Sequence, residues 1–175
     1  MPKLAALALS VGLLAVVATW LFGLPPLANG KLQVWQAFIA WGCYFHSGGK
    51  IAGGRATVAC MSFGALVGMV AVMLAGQLGA LGSLAAPVAV GLGATAIVLS
   101  SKLPLLETIP ASVYGFAAIA GLILLGSGVT PTAALLPTVL SILIGAAFGY
   151  VSETLADALT KKDAATAGAA DSQAA

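Results

Sequence analysis

The sequence predicts an all-α fold, a polytopic helical membrane bundle of about six transmembrane helices. Three observations predict it. The 175 residues are 61% hydrophobic and only 7% charged, with a mean hydropathy of +1.09. A soluble domain carries roughly 25% charged residues, so this chain lacks the material for a wettable surface. Second, no Asp, Glu, Lys, Arg or His occurs within residues 4–30, 56–101 or 108–152. About 20 apolar residues cross a bilayer as a helix, so the first run holds one crossing and each of the others holds two. Third, these runs lack the alternation of barrel strands, which leaves helices as the only way to satisfy the backbone in lipid.

The elements follow in order. A first helix is expected from about Leu4 to Leu24, ended by Pro25-Pro26, which remove donors and force an extended link. The run before it could also be a signal peptide cleaved near Ala18 or Ala28. It continues through Trp20-Leu21-Phe22, however, beyond the 7–15 residues typical of a signal core. After a polar turn at residues 27–31 comes a short apolar stretch, Leu32 to Phe45, bearing Trp35, Trp41 and Tyr44. At about 21 Å of helix it is too short to cross upright, which makes it re-entrant, broken, or completed by irregular backbone. His46 to Arg55 (HSGGKIAGGR) reads as a glycine-rich basic loop. A full crossing is expected over 56–77, a turn over 79–83, and a helix over 84–100 with Pro87 in its first turn. A proline-interrupted connector (101–110), a short helix (111–125), a turn (126–132) and a last crossing (133–151) complete the membrane domain, residues 1–151. Residues 152–175 read as a polar cytoplasmic tail, partly disordered after Lys162.

Lysine and arginine set the orientation. With six crossings, Lys3, Lys50, Arg55, Lys102, Lys161 and Lys162 share one face and Lys31 lies opposite, which puts the C-terminus in the cytoplasm. If 32–45 is re-entrant, five crossings remain and Lys3 alone changes side, so the side of the N-terminus stays open.

The two halves read as a 3+3 inverted repeat, each with a long helix, a proline-marked connector, a short broken helix and a second long helix. The short helices carry Trp41-Gly42 with Gly48 and Tyr114-Gly115 with Gly121; the long helices that follow carry Gly64-xxx-Gly68 and Gly145-xxx-Gly149. Such pairs let helix backbones approach closely in lipid, within a subunit or between subunits. Inverted repeats recur in transporters, with a substrate site between the halves.

The stretches WQAFIAWGCYFHSGG (35–49), LPLLETIPASVYGFAAIAG (103–121) and IGAAFGY (144–150) carry a resemblance. Over about residues 8–155 the chain resembles the YcdZ-like family of small bacterial inner-membrane proteins, a family of unknown function. The shared features are a Gly-Cys-Tyr-Phe group at 42–45 (one residue tighter than the usual pattern), the helix start at Pro110, and the terminal Gly-x-x-x-Gly-Tyr. The chain departs from the pattern at His46 and Lys50, where small or uncharged residues are usual. The resemblance implies a bacterial inner-membrane location and gives no substrate.

Chemistry-bearing residues are few. One histidine and one acid before residue 153, with no HExxH, CxxC or P-loop, give no apparatus for catalysis, so the chain is expected to be no enzyme. No metal or cofactor is expected either. Cys43 and Cys60 read as small buried hydrophobes. The net charge of +2 and the lack of a basic-aromatic patch argue against nucleic acid. Glu107, between Pro104 and Pro110, either caps a helix start or pairs with Lys102, or else forms a polar site at a pore mouth with Thr108 and Ser112. His46 reads as a hydrated loop residue or a gate, and Trp41, Tyr44, Tyr114 and Phe116 as lining of a narrow passage or as interfacial aromatics. The expected function is a channel or facilitator for a small neutral or weakly charged solute, formed where the two short helices leave backbone polar groups in the membrane. The alternative is a non-transporting scaffold or accessory subunit. The expected partners are the lipid bilayer, the solute and further copies of the chain.

Overall fold

The computed structural model describes residues 2–125 and 128–173, with side chains as far as Thr160. Among these residues every regular element is helical: α1 (Lys3–Gly23), α2 (Pro25–Asn29), α3 (Val34–His46), α4 (Lys50–Gln77), a 3-10 turn (Gly79–Leu84), α5 (Ala85–Ser100), α6 (Ile109–Leu124) and α7 (Pro131–Gln173). Four spans are long and apolar enough to cross a membrane: Lys3–Gly23, Lys50–Gln77, Gly79–Ser100 and Pro131–Thr160; the shorter Ile109–Leu124 is also apolar.

Three expectations are corrected. Pro25 and Pro26 do not open an extended link. Only Leu24 is extended, and both prolines start α2, where a missing N–H costs nothing because the first donors of a helix have no partner in it. The glycine-rich loop shrinks to residues 47–49. There Gly48 and Gly49 take positive φ, α4 begins at once with Lys50, and Gly53 and Gly54 lie inside the helix. Gly53 is needed for space, since a Cβ there would come 2.9 Å from the Tyr44 carbonyl oxygen. Third, α3 and α6 are unbroken. Their 13 and 16 residues span only about 20 and 24 Å, but apart from the groups of the first and last turns their peptide groups pair within the helix, so no break strands backbone between the ends. Beyond residue 151, where the polar tail was expected to begin, α7 continues as helix to Gln173. Its alanine-rich sequence favours that conformation.

The helices form two layers. α1, α7, α4 and α5 contact one another in series; α3 lies mainly on α7, and α6 mainly on α4. The outer helices use matching seams of mostly small residues, Ala6, Ser10, Ala18 and Phe22 on α1 and Ala85, Ala89, Gly93 and Ile97 on α5. The buried faces of the central pair carry one series twice. Thr57, Cys60, Gly64 and Gly68 on α4 repeat in spacing as Thr138, Ser141, Gly145 and Gly149 on α7, and all eight are buried.

The glycines of that series bring backbones together. A Cβ on Gly64 would overlap the Ser112 carbonyl of α6, and one on Gly145 would overlap the Ala37 carbonyl of α3. A Cβ on Gly68 would lie 2.9 Å from the Phe116 carbonyl oxygen, and one on Gly149 2.6 Å from the Tyr44 ring. Both Gly-xxx-Gly pairs therefore serve contacts within the chain. The matching spacing of the short helices does not carry over: Gly42 faces open space, whereas Gly115 is pressed against the Met61 carbonyl. In a chain with 22 glycines, one spacing matches by coincidence and the other by packing.

These contacts predict a sharp contrast. Gly64→Val and Gly145→Val should each cost about 2 kcal/mol or more, because backbone has to move. Gly12→Val and Gly91→Val, which meet nothing within 4 Å, should stay within about 0.5 kcal/mol. Reversible unfolding of the four variants in detergent micelles, followed by circular dichroism, checks this.

Candidate functional site

The expected lining residues go to separate places. Trp41 is buried at the α3–α7 contact, stacked between Phe38 and Phe148 with centroids 5.8 and 5.4 Å away. Its indole N–H donates to Ser152 Oγ at 3.0 Å. Ser152 also ties in α1, because Ser10 Oγ donates to its carbonyl at 2.9 Å. Phe116 points the other way, toward α5, where a Cβ on Gly93 would meet its ring at 2.8 Å. Ser112 is 1% exposed and spends its backbone on the Gly64 contact. Exposed Glu107 and half-buried Thr108 line a separate cavity of about 200 Å³ with Arg55 and Pro104. His46 and Tyr114 meet edge to face at 5.9 Å, beside a groove of about 410 Å³ between α3 and α6 that also reaches Cys43.

Tyr44 belongs to a different construction. Fully buried, it donates its hydroxyl to Glu153 Oε2 at 2.5 Å, and the same oxygen accepts the Lys50 backbone N–H at 2.7 Å. The Glu153 carboxylate also lies against Gly49, where a Cβ would come 2.9 Å from Oε2. A residue of α7 thus caps the first turn of α4, where unpaired N–H groups favour a carboxylate. The positive φ of Gly48, Gly49 and Lys50 brings that N–H to it. Sequence reading assigned Glu153 to the start of the tail. The local signal was only an acid next to the last apolar run, and its partner is 103 positions away.

The polar groups deepest in the protein are others that sequence reading passed over. Gln36 is 0% exposed. Its Nε2 donates to the Ala118 carbonyl at 2.9 Å and to Thr138 Oγ1 at 3.1 Å, tying α3 to α6 and α7. Its Oε1 is buried without a hydrogen bond. One step along, Ser141 Oγ accepts the Gln33 backbone N–H at 3.0 Å. Thr57, which stands on α4 where Thr138 stands on α7, is likewise 0% exposed. Its hydroxyl lies beside the Cys43 thiol without forming a hydrogen bond of normal geometry. Nearby, Cys60 Sγ donates to the Leu105 carbonyl at 3.5 Å. Ala40, Met61 and Ile142, each 0% exposed, and buried Gly115 make up an apolar layer of the core. The signal for Gln36 was present: it is a lone amide inside an apolar helix, and polar groups at that depth are costly.

Both cysteines are free and buried. Among the described residues no cluster of His, Cys, Asp or Glu could hold a metal ion.

The cap predicts that Glu153→Ala leaves the Lys50 N–H and the Tyr44 hydroxyl without their acceptor. The expected loss is about 1–3 kcal/mol, with faster amide exchange confined to the first turn of α4. Tyr44→Phe, which keeps the Lys50 bond, should cost less. Hydrogen–deuterium exchange of the peptide over residues 47–55 reads both.

Over residues 8–157 the chain matches a family described as a protein of unknown function, DUF1097. That covers most of its length, and the chain belongs to this family. No curated protein and no solved structure matches it.

Proposed function

We propose that this member of an uncharacterised membrane family is a facilitator for a small, neutral, hydrogen-bonding solute, with the described conformation closed. One observation carries the reading. Buried polar side-chain atoms without a hydrogen bond stand on two neighbouring helices, Gln36 Oε1 on α3 and Thr57 Oγ1 and Ser62 Oγ on α4. Leaving such a group unpaired costs about 1–3 kcal/mol. A bundle that only packs has no use for that cost, whereas a solute passing between hydrogen-bonding stations does. The stations Gln36 and Thr57 replace the aromatic passage as the lining we assign. The groove beside Cys43, His46 and Tyr114 is the vestibule next to the second station.

The finer topology belongs to the same proposal. The chain crosses six times, α3 and α6 included, as a 3+3 inverted repeat in which each short helix rests on the long helix of the other half. The doubled Thr-Cys/Ser-Gly-Gly series and the paired contacts of α3 with α7 and α6 with α4 support this. Six crossings with lysine and arginine on one face favour both termini in the cytoplasm, and the resemblance to YcdZ-like proteins favours a bacterial inner membrane. The scarcity of intramembrane charge speaks against an ion-driven pump. The exposed side of α3 and α6 is shorter than a bilayer core and is the face we assign to contact with further copies of the chain.

The alternative, a non-transporting scaffold, has its own support in the apolar layer of Ala40, Met61, Gly115 and Ile142. The two readings part on one pair of variants. Thr57→Val removes only an unpaired buried group, so either reading expects folded protein of equal or greater stability. Gln36→Leu also gives up the bonds to Ala118 and Thr138, and either reading expects it to cost about 1–3 kcal/mol while still folding. Facilitation expects in addition at least a tenfold fall in solute permeability, on the order of the 1.4 kcal/mol that corresponds to each factor of ten. Stopped-flow light scattering of proteoliposomes against urea, short amides, ammonia, polyols and water measures it. Equal permeability of vesicles with and without protein for every solute overturns the facilitator.

A further inference from the structure

A second groove lies between α4 and α7. It follows the α4–α7 contact at the end where α4 begins, encloses about 490 Å³, and is lined by Tyr44, Lys50, Gly54, Arg55, Leu143 and Tyr150 among others. Its walls are almost wholly apolar, small residues stand on both helices, and it lies widely open at the surface. From Lys50 to Ala59, the α4 positions it touches, the helix rises about 13 Å, the length of an extended chain of roughly ten carbons. The cations stand at one end only, Lys50 and Arg55, both exposed. Along the rest of the groove nothing is charged.

Acids face that end as well. Glu153 comes from α7, but its Oε2 is taken by the Tyr44 hydroxyl and the Lys50 backbone N–H. Glu107 comes from the connector and borders the neighbouring cavity with Arg55. Among the described residues neither Lys50 nor Arg55 forms an ion pair; the ion pair seen there joins Lys3 to Asp157. The combination is therefore two exposed cations, neither in an ion pair among the described residues although Lys50 feels the Glu153 charge, at the end of an apolar trough that opens sideways on a membrane-spanning surface. Basic pockets between transmembrane helices at the lysine- and arginine-rich face suit anionic headgroups, and the trough suits an acyl chain.

We infer that this groove is a binding site for an anionic diacyl phospholipid. Its phosphate pairs with Lys50 and Arg55, and one acyl chain lies along the α4–α7 seam past Ala59 and Ala147. The inference is independent of any transported solute. Its occupant would join α4 to α7 beside the Glu153 cap, so the structural consequence is stabilisation of that contact.

The test uses the full chain purified in a nonionic detergent, with unfolding followed by tryptophan fluorescence while defined lipids are titrated. Phosphatidylglycerol should raise the midpoint by about 5 °C, as ligand linkage requires for a site well above half saturation, and phosphatidylcholine should raise it by less than a third of that. The double variant Lys50→Gln/Arg55→Gln should lose the difference between the two lipids. Lys102→Gln, which removes a cation outside the groove, should keep it. Ala147→Leu leaves both cations and fills the trough, so it too should lose the difference; it decides the matter if the double variant does not fold. Equal shifts from the two lipids overturn the inference, as does equal loss in Lys102→Gln. So does inorganic phosphate or glycerol phosphate reproducing the whole effect, since a headgroup site alone needs no trough.

Discussion

In lipid, apolar side chains gain nothing by leaving their solvent for one another, so helices hold together by fit: dispersion between surfaces close enough to touch, and hydrogen bonds with nowhere else to go. The contacts of Gly64 with Ser112, of Gly115 with Met61 and of Gly145 with Ala37 are the tightest glycine fits among the described residues. Each sets a short helix directly on a long one, backbone against backbone. Because Gly68 and Gly149 continue the contact one turn further, α6 runs parallel to α4 and α3 parallel to α7 over their lengths. The positions of the remaining groups follow from these two pairings. Gln36 reaches Thr138 because α3 lies along α7, and Trp41 reaches Ser152 for the same reason.

The pairings cross between halves of the chain, and that has an energetic consequence. α3 rests on a helix about a hundred residues later, while α6 rests on one about fifty residues earlier. The first half therefore supplies the platform for α6 but not for its own α3. The Glu153 cap follows the same logic: the first turn of α4 is completed by a carboxylate on α7. Neither half alone contains the long helix on which its short helix mainly rests, and the first half also lacks the carboxylate that caps α4.

What the sequence made legible was what depends on local composition. The absence of charge from three long runs located the four long spans, and Pro110 and Pro104 bracketed the start of α6. The errors came where a distant residue decided a local outcome. HSGGKIAGGR has the composition of a loop, yet residues 50–55 are helical because Glu153 supplies the first-turn acceptor and Tyr44 leaves no room for anything but glycine at residue 53. Pro25-Pro26 does end the first helix, at Gly23, but it was also read as an extended link; proline begins helices too, and here it opens α2. In the site, aromatics attracted attention for their size, although Trp41 and Phe116 turn to opposite neighbours. Gln36 and Thr57 are small signals in composition but large in energy, because their surroundings offer no water.

The reasoning that led from short helices to a solute pathway changes its footing accordingly. A 13-residue helix was expected to be broken and to strand peptide groups in the membrane; instead α3 is continuous, and only the groups of its end turns need partners from outside it. What remains unsatisfied belongs to side chains, and side chains are chosen residue by residue in a way that peptide groups are not. Leucine in place of Gln36 would give up the bonds that tie α3 to α6 and α7, but it would also remove a bare carbonyl oxygen from the core. Gln36 fastens three helices and leaves its Oε1 without a hydrogen bond, and packing accounts for the first and not for the second. The second is what a hydrogen-bonding solute would use.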